Sequence, residues 1–257
     1  MEHDGLNGRE PRLGSRHTTV TGMEPALSRS FRSPYGPLRF EGLEAPPVVG
    51  RRCPLVVLAE YSDPNAELMR LLAESNGYEV RRTRDGMEAW RLARALEPDL
   101  MAVGPRLIGL NGMEVIRRVR AEQDPAIRRI PILMTDLLYG QQAAREAFES
   151  GADDCLQAPY EIPVMLRAWR RVVAGGWRPA PLVALLNEDL RIAQMALSYL
   201  FEARPAGWLE GLDEIFWRLD PGLRSCALDA LSSQGAEEVL SRLRGDWPSA
   251  GGGTAGV

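Results

Sequence analysis

Lysine is absent from the chain: all 31 basic side chains among its 257 residues are arginine. No lysine can therefore serve as a Schiff base, a phosphate ligand or a catalytic base. An arginine-biased, GC-rich genome explains the absence more simply than any function does. Histidine is scarce as well. Its two copies, His3 and His17, both fall in a polar N-terminal stretch, which nearly removes histidine catalysis and histidine-ligated metal. The three cysteines, Cys53, Cys155 and Cys226, are far apart and match no metal spacing. They read as reduced thiols of a cytoplasmic protein. No apolar run is long enough to span a membrane, and the N-terminal MEHDGLNGRE has no signal-peptide core. A net charge of −4 gives no global attraction to nucleic acid or anionic membrane.

What is present divides along the chain. Residues 1–50, rich in Gly, Pro, Ser, Thr and Arg, lack a sustained apolar period and read as a disordered or loosely docked tail. From residue 53 the pattern changes. PLVVLA is a short apolar run suited to a buried parallel strand. PNAELMRLLAESNG has leucines at helical spacing and stops at Gly77. YEVRRT, DLMAV, IPILMT and DCLQ read as further strands. They alternate with the helices DGMEAWRLARALE, GMEVIRRVRAEQ, QQAAREAFESG and EIPVMLRAWRRVV. Five strands alternating with five helices predict an α/β fold: a parallel sheet with helices on both faces and a pocket beyond the carboxyl ends of the strands. After the Gly/Pro stretch AGGWRPAP the pattern is helical only. Leu182, Leu186, Leu190, Ala193, Leu197 and Leu200 predict one long helix. A second runs through Trp208, Leu212, Ile215 and Leu219. A third starts at Asp220–Pro221, and a fourth passes through Val239, Leu240, Leu243 and Trp247.

The stretch IGLNGMEVIRRVRA, the GADDCLQAPY stretch, PDL at the third strand and NGYEV at the second occur in one order. Together, residues 53–174 resemble a response-regulator receiver domain. The resemblance implies a five-stranded flavodoxin-like sheet. It also implies phosphoryl transfer to an aspartate after the third strand, with Mg²⁺ held by acids after the first. A hydroxyl after the fourth strand and a lysine after the fifth would hold the phosphoryl oxygens. Carried onto this sequence, the acceptor position falls on Gly104. The acid pair falls on Glu60 and Tyr61, with Asp63 already in the helix start. The hydroxyl position falls on Asp136, or on Thr135 with a one-residue deletion. The lysine position falls on Ala158, before a proline whose bond is expected to be cis, and the aromatic switch position on Cys155. A glycine accepts no phosphoryl group, and one acid gives too few oxygen ligands for Mg²⁺. The expectation is a pseudo-receiver with no catalytic residues, no metal and no cofactor.

Other readings weigh less. Glu60 and Asp136 are better read as two solvated loop acids than as an acid–base pair. The space left by Gly104 and Ala158 is better filled by Tyr61 than by a ligand. The arginine clusters at 81–84, 117–120 and 128–129 sit among acids and read as solvated faces. Residues 176–247 carry seven Arg against eleven Asp and Glu, a poor direct DNA binder. A helical domain at 181–247, followed by a flexible 248–257, is short of core by itself. Its off-stripe residues Leu185, Ile192 and Tyr199, with Trp208 and Trp217, are candidates for a partner surface. The expectation is a cytoplasmic bacterial signalling adaptor working through protein contacts, homodimerisation included, by way of the helices after the fourth and fifth strands and the C-terminal helices. A DNA-binding regulator with an atypical output domain and a ligand sensor using the vacated pocket stay open as alternatives.

Overall fold

Strands β1 (Leu55–Ala59), β2 (Glu79–Thr83), β3 (Leu100–Val103), β4 (Ile132–Leu137) and β5 (Asp154–Gln157) form one parallel sheet in the order β2-β1-β3-β4-β5 in a computed structural model. The structure describes residues 40–137, 141–178, 181–236, 239–241 and 243, without the side chains of 136, 137 and 141. β1 and β3 are buried throughout, as strands covered on both faces must be. The edge strand β2 buries only Val80 and Thr83 and turns Arg81 and Arg82 outward, a charge pattern that discourages edge pairing.

The helices that cross between strands are α1 (Asp63–Ser75), α2 (Gly86–Leu96), α3 (Gly112–Arg120) and α5 (Gln141–Ser150), and α6 (Ile162–Gly175) follows the last strand. A one-turn helix, α4 (Pro125–Arg128), was not expected. Asp124 caps it and a proline opens it. Asn111 and Glu114 close a capping box on α3, which fixes the end of the β3–α3 loop. Gly77 and Gly151 follow α1 and α5 at φ 92° and 102°, a conformation costly for other residues. Of the N-terminal segment, residues 1–39 lie outside the described residues. Residues 40–45 dock on α1: the amides of Phe40 and Ala45 donate to the side chain and carbonyl of the buried Asn76.

The C-terminal region departs from the expected long helix. The 3₁₀ turn η1 (Val183–Leu186) comes first. Asn187 is then extended, and Asp189 caps α7 (Leu190–Ala203). The break has a cause in the receiver-like part. Asn187 Nδ2 donates to Asp154 Oδ1 at 2.7 Å and to the Cys155 carbonyl at 2.9 Å. Its Oδ1 accepts the Asp189 amide. The second helix also breaks, into α8 (Trp208–Ile215) and η2 (Phe216–Arg218). α9 (Pro221–Ser233) starts at Asp220–Pro221 as expected, with Asp220 accepting from the amides of Gly222 and Leu223. Residues 239–241 and 243 are helical, and Trp247 lies outside the described residues, as do residues 248–257.

These helices do not form a separate core. α7 lies on α5, with Phe148 and Tyr199 rings 6.2 Å apart, and η1 packs on β5 and α6. Leu182, Leu185, Ile192 and Leu212 belong to the same buried cluster as Val57, Met101, Ile116 and Met134. Asp154, fully buried, ties the parts together. Its Oδ2 accepts from Arg171 Nε and Nη2 at 2.9 and 2.6 Å. Removing one member of a buried ion pair costs about 3–5 kcal/mol, and a lost buried hydrogen bond about 1–3 kcal/mol. Arg171→Met is therefore expected to destabilise the whole protein by about 3 kcal/mol or more and Asn187→Ala by less. Urea denaturation followed by far-UV circular dichroism should show one cooperative transition shifted to lower urea in each.

Candidate functional site

In the strand order β2-β1-β3 the chain reverses direction of progress between β1 and β3, and open α/β sheets bind ligands at that switch point. Glu60 follows β1 there, and Gly104 follows β3. The Gly104 amide donates to the Ala59 carbonyl at 2.8 Å, and the Glu60 amide to the Thr83 carbonyl at 2.9 Å, which holds the three loops together. A cleft of about 240 Å³ opens between them, lined by Glu60, Tyr61, Ser62, Pro105, Arg106 and Ala158, among others. The Ala158–Pro159 bond on its floor is cis, as expected.

Glu60 is not a solvated loop acid. It is 5% exposed, and its Oε1 accepts the Ser62 amide at 2.8 Å. Its Oε2 lies 2.8 Å from where a Cβ on residue 104 would stand. Glu60, not Tyr61, thus occupies the space beside Gly104. Tyr61 is 55% exposed and turned to the rim. The reason is reach: a glutamate directly after β1 can lay its carboxylate back across a neighbour that has no side chain. Asp63 heads α1 and points away, bonded to Arg82 at 3.0 Å and Arg84 at 3.3 Å. Thr135 is fully buried within the sheet, with no hydrogen-bond partner for its hydroxyl, and is absent from the cleft lining. The Asp136 side chain lies outside the described residues.

Mg²⁺ does not fit the residues described. It binds through several oxygen ligands at about 2.0–2.1 Å in octahedral geometry. Among the described residues no group of three acids, histidines or cysteines converges. Among the described residues Glu60 is the one carboxylate lining the cleft, and one of its oxygens already accepts a backbone N–H.

Cys155 is fully buried in β5, and burial together with the neighbouring Asp154 pushes its thiol well above the ordinary range. Among the residues expected to form a partner surface, Leu185, Ile192 and Trp208 are buried, and Tyr199 and Trp217 are half-buried. Their apolar side is taken up by α5, by β5 and by each other, as in the edge-on contact of Phe201 with Trp208. The arginine clusters are engaged with acids in part. Arg81 meets Glu79, Arg82 meets Asp63 and Glu67, and Arg120 spans Asp153 and three backbone carbonyls. Sequence reading passed over a further arginine group, RAWRR on α6, whose spacing of three and four places Arg167, Arg170 and Arg171 along one side.

A parallel β2-β1-β3-β4-β5 sheet with an acid, a short loop and a cis proline at its carboxyl ends defines a receiver-type signalling domain. The response regulator receiver domain model matches residues 56–170. The polar-differentiation response regulator DivK of Brucella anthropi is 31% identical over 108 residues, which are 42% of this chain and 86% of that protein. The chain therefore belongs to the response regulator receiver family. The DNA-binding dual master transcriptional regulator RpaA of a Synechocystis strain is 31% identical over 120 residues, 47% of this chain and 49% of that protein, so the chain spans about half of that relative's length. A response regulator structure from Chloroflexus aurantiacus is 32% identical and covers 47% of this chain and 98% of its own, with a TM-score of 0.43. No described helix is long and apolar enough to cross a membrane.

Two outcomes check this geometry. Gly104→Asp sets a Cβ and a second carboxylate against Glu60, and overpacking of this kind costs about 1–3 kcal/mol. Urea denaturation should show the loss, and adding Glu60→Ala should recover most of it. In the folded protein a thiol-specific disulfide reagent should modify the exposed Cys226 quickly and leave Cys155 unmodified until denaturant is added.

Proposed function

We propose that this protein is a phosphorylation-independent pseudo-receiver that acts as a regulatory adaptor through protein contacts, without enzymatic activity, in the bacterial cytoplasm. One observation carries the reading. The position that resembles the family's phosphoryl acceptor is Gly104, and the Glu60 carboxylate fills the space its side chain would take. Ala158 at the lysine position supplies no ammonium to pair with a phosphoryl group, and Asp63 is spent on arginines outside the cleft. A fixed carboxylate in this place keeps the loops after β1 and β3 in a single arrangement, with no phosphoryl group needed to hold it.

Two features bear on how contact is made. α5, β5 and α6 are covered by α7 and η1 of the same chain. Partners then meet the outer side of the joined receiver and C-terminal helices, not a bare receiver face. The buried Leu185, Ile192 and Trp208 support the fold of that surface from beneath. Direct DNA binding is less well supported, because residues 176–247 are net acidic and Arg81, Arg82, Arg84 and Arg120 are paired with acids. A ligand in the vacated cleft is also less well supported. Its volume of about 240 Å³ is below the usual range of small-molecule pockets, and Glu60 already stands in it.

Incubation with acetyl phosphate and Mg²⁺, followed by intact-mass measurement, tests the reading. The expected mass is unchanged. A stoichiometric gain of one phosphoryl group, mapped by peptide analysis to the loops at 60, 104 or 136, would overturn it.

A further inference from the structure

A larger cleft is lined by α6 from Arg167 onward, by η1 and by η2. It has a volume of about 570 Å³, within the range of small-molecule sites. Its floor is apolar, made by Leu43, Leu182, Val183, Leu186 and Ile215. Five guanidiniums line it: Arg167, Arg170 and Arg171 from α6, Arg178 just after it, and Arg218 from η2. Neither the receiver-like part nor the C-terminal helices could make this cleft alone, because each contributes part of the floor and part of the arginine set.

The charges do not cancel. Arg167 is paired with Glu188 at 2.6 Å, Arg171 with the buried Asp154, and Arg178 with Glu214. Arg170 donates to the Gly42 carbonyl, which is no counter-charge. Arg218 is exposed and has no acidic partner among the described residues. Five guanidiniums against three carboxylates leave two positive charges in excess over an apolar floor. Guanidinium is planar, always charged and suited to bidentate phosphate recognition, and it stacks on flat rings.

We propose that this cleft binds a small phosphorylated ligand of nucleotide size, with its phosphates on Arg170 and Arg218 and its flat body against Leu43 and Leu186, the half-buried members of the apolar floor. Bound there, the ligand bridges α6 to η2. It would thus be a cue read at the join between receiver and C-terminal helices, away from the vacated acceptor cleft.

Isothermal titration calorimetry on the full chain tests this with three probes: ATP, GTP and inorganic tripolyphosphate. Saturable binding of at least one nucleotide is expected, about tenfold or more tighter than tripolyphosphate. Arg218→Glu should weaken it by about tenfold or more, and Arg170→Ala together with Arg218→Glu should abolish it. Because Arg218 has no acidic partner among the described residues, Arg218→Glu should keep the wild-type circular dichroism spectrum. The reading stays testable through it even if the double variant fails to fold. The absence of saturable binding at millimolar nucleotide would overturn the proposal. So would equal affinity for tripolyphosphate, which would give the floor no role, or full affinity retained in folded Arg218→Glu.

Discussion

The fold turns on one buried carboxylate. Asp154 has no solvent exposure, and a carboxylate in such a place must be compensated or it destabilises the chain that carries it. Compensation comes from three directions: Arg171 on α6, the Cys155 amide on β5 itself, and Asn187 beyond η1. The third partner matters most for architecture. To reach Asp154, Asn187 must leave helical geometry, and this ends η1 and lets Asp189 start α7 in a new direction. α7 is thereby delivered onto α5, and the C-terminal helices inherit the receiver's core instead of building their own.

That placement changes what the receiver-like domain has to do. Its Cys155 sits where the resemblance puts a mobile aromatic switch, but its sulfur is buried and its carbonyl is held by Asn187. At the other end of the sheet the Glu60 carboxylate lies against Gly104. Both ends of the relay between acceptor cleft and covering helices are thus occupied by groups of the chain itself. In the proposed reading the domain orients helices and does without the family's usual chemistry.

Much of this was legible beforehand, and the limits were physical. β1 and β3 announced themselves as apolar runs because both faces of a central strand are covered. Asp220–Pro221 and the stops at Gly77 and Gly151 were readable because caps and left-handed residues are local requirements. The place of Gly104 directly after β3 was readable because the apolar run before it marks the end of a buried strand. Glu60 was misjudged because its burial depends on a neighbour 44 positions away being glycine, which no local pattern records. The helix through Leu182–Leu200 was misjudged for the same kind of reason: the apolar spacing is helical, and only a contact to Asp154 breaks it. The arginine cleft escaped because Arg218 joins the α6 group only through tertiary folding.

The burial of Leu185, Ile192 and Trp208 follows from size as much as from pattern. A helical segment of this length is marginal by itself, because the apolar surface it can bury barely offsets its conformational entropy. A receiver domain whose α5 and β5 face carried this much apolar surface would, alone, expose a patch of the kind that marks an interaction site. Each surface therefore needs a cover, and here the cover is covalently attached. Intramolecular docking has the higher effective concentration, since the short segment between α6 and η1 keeps the two surfaces within reach of each other. An apolar second side on a C-terminal helix therefore need not signal an external partner. In a two-part chain with a short connection, the neighbouring part has first claim on it, and the surface left for partners is the one that both parts build together.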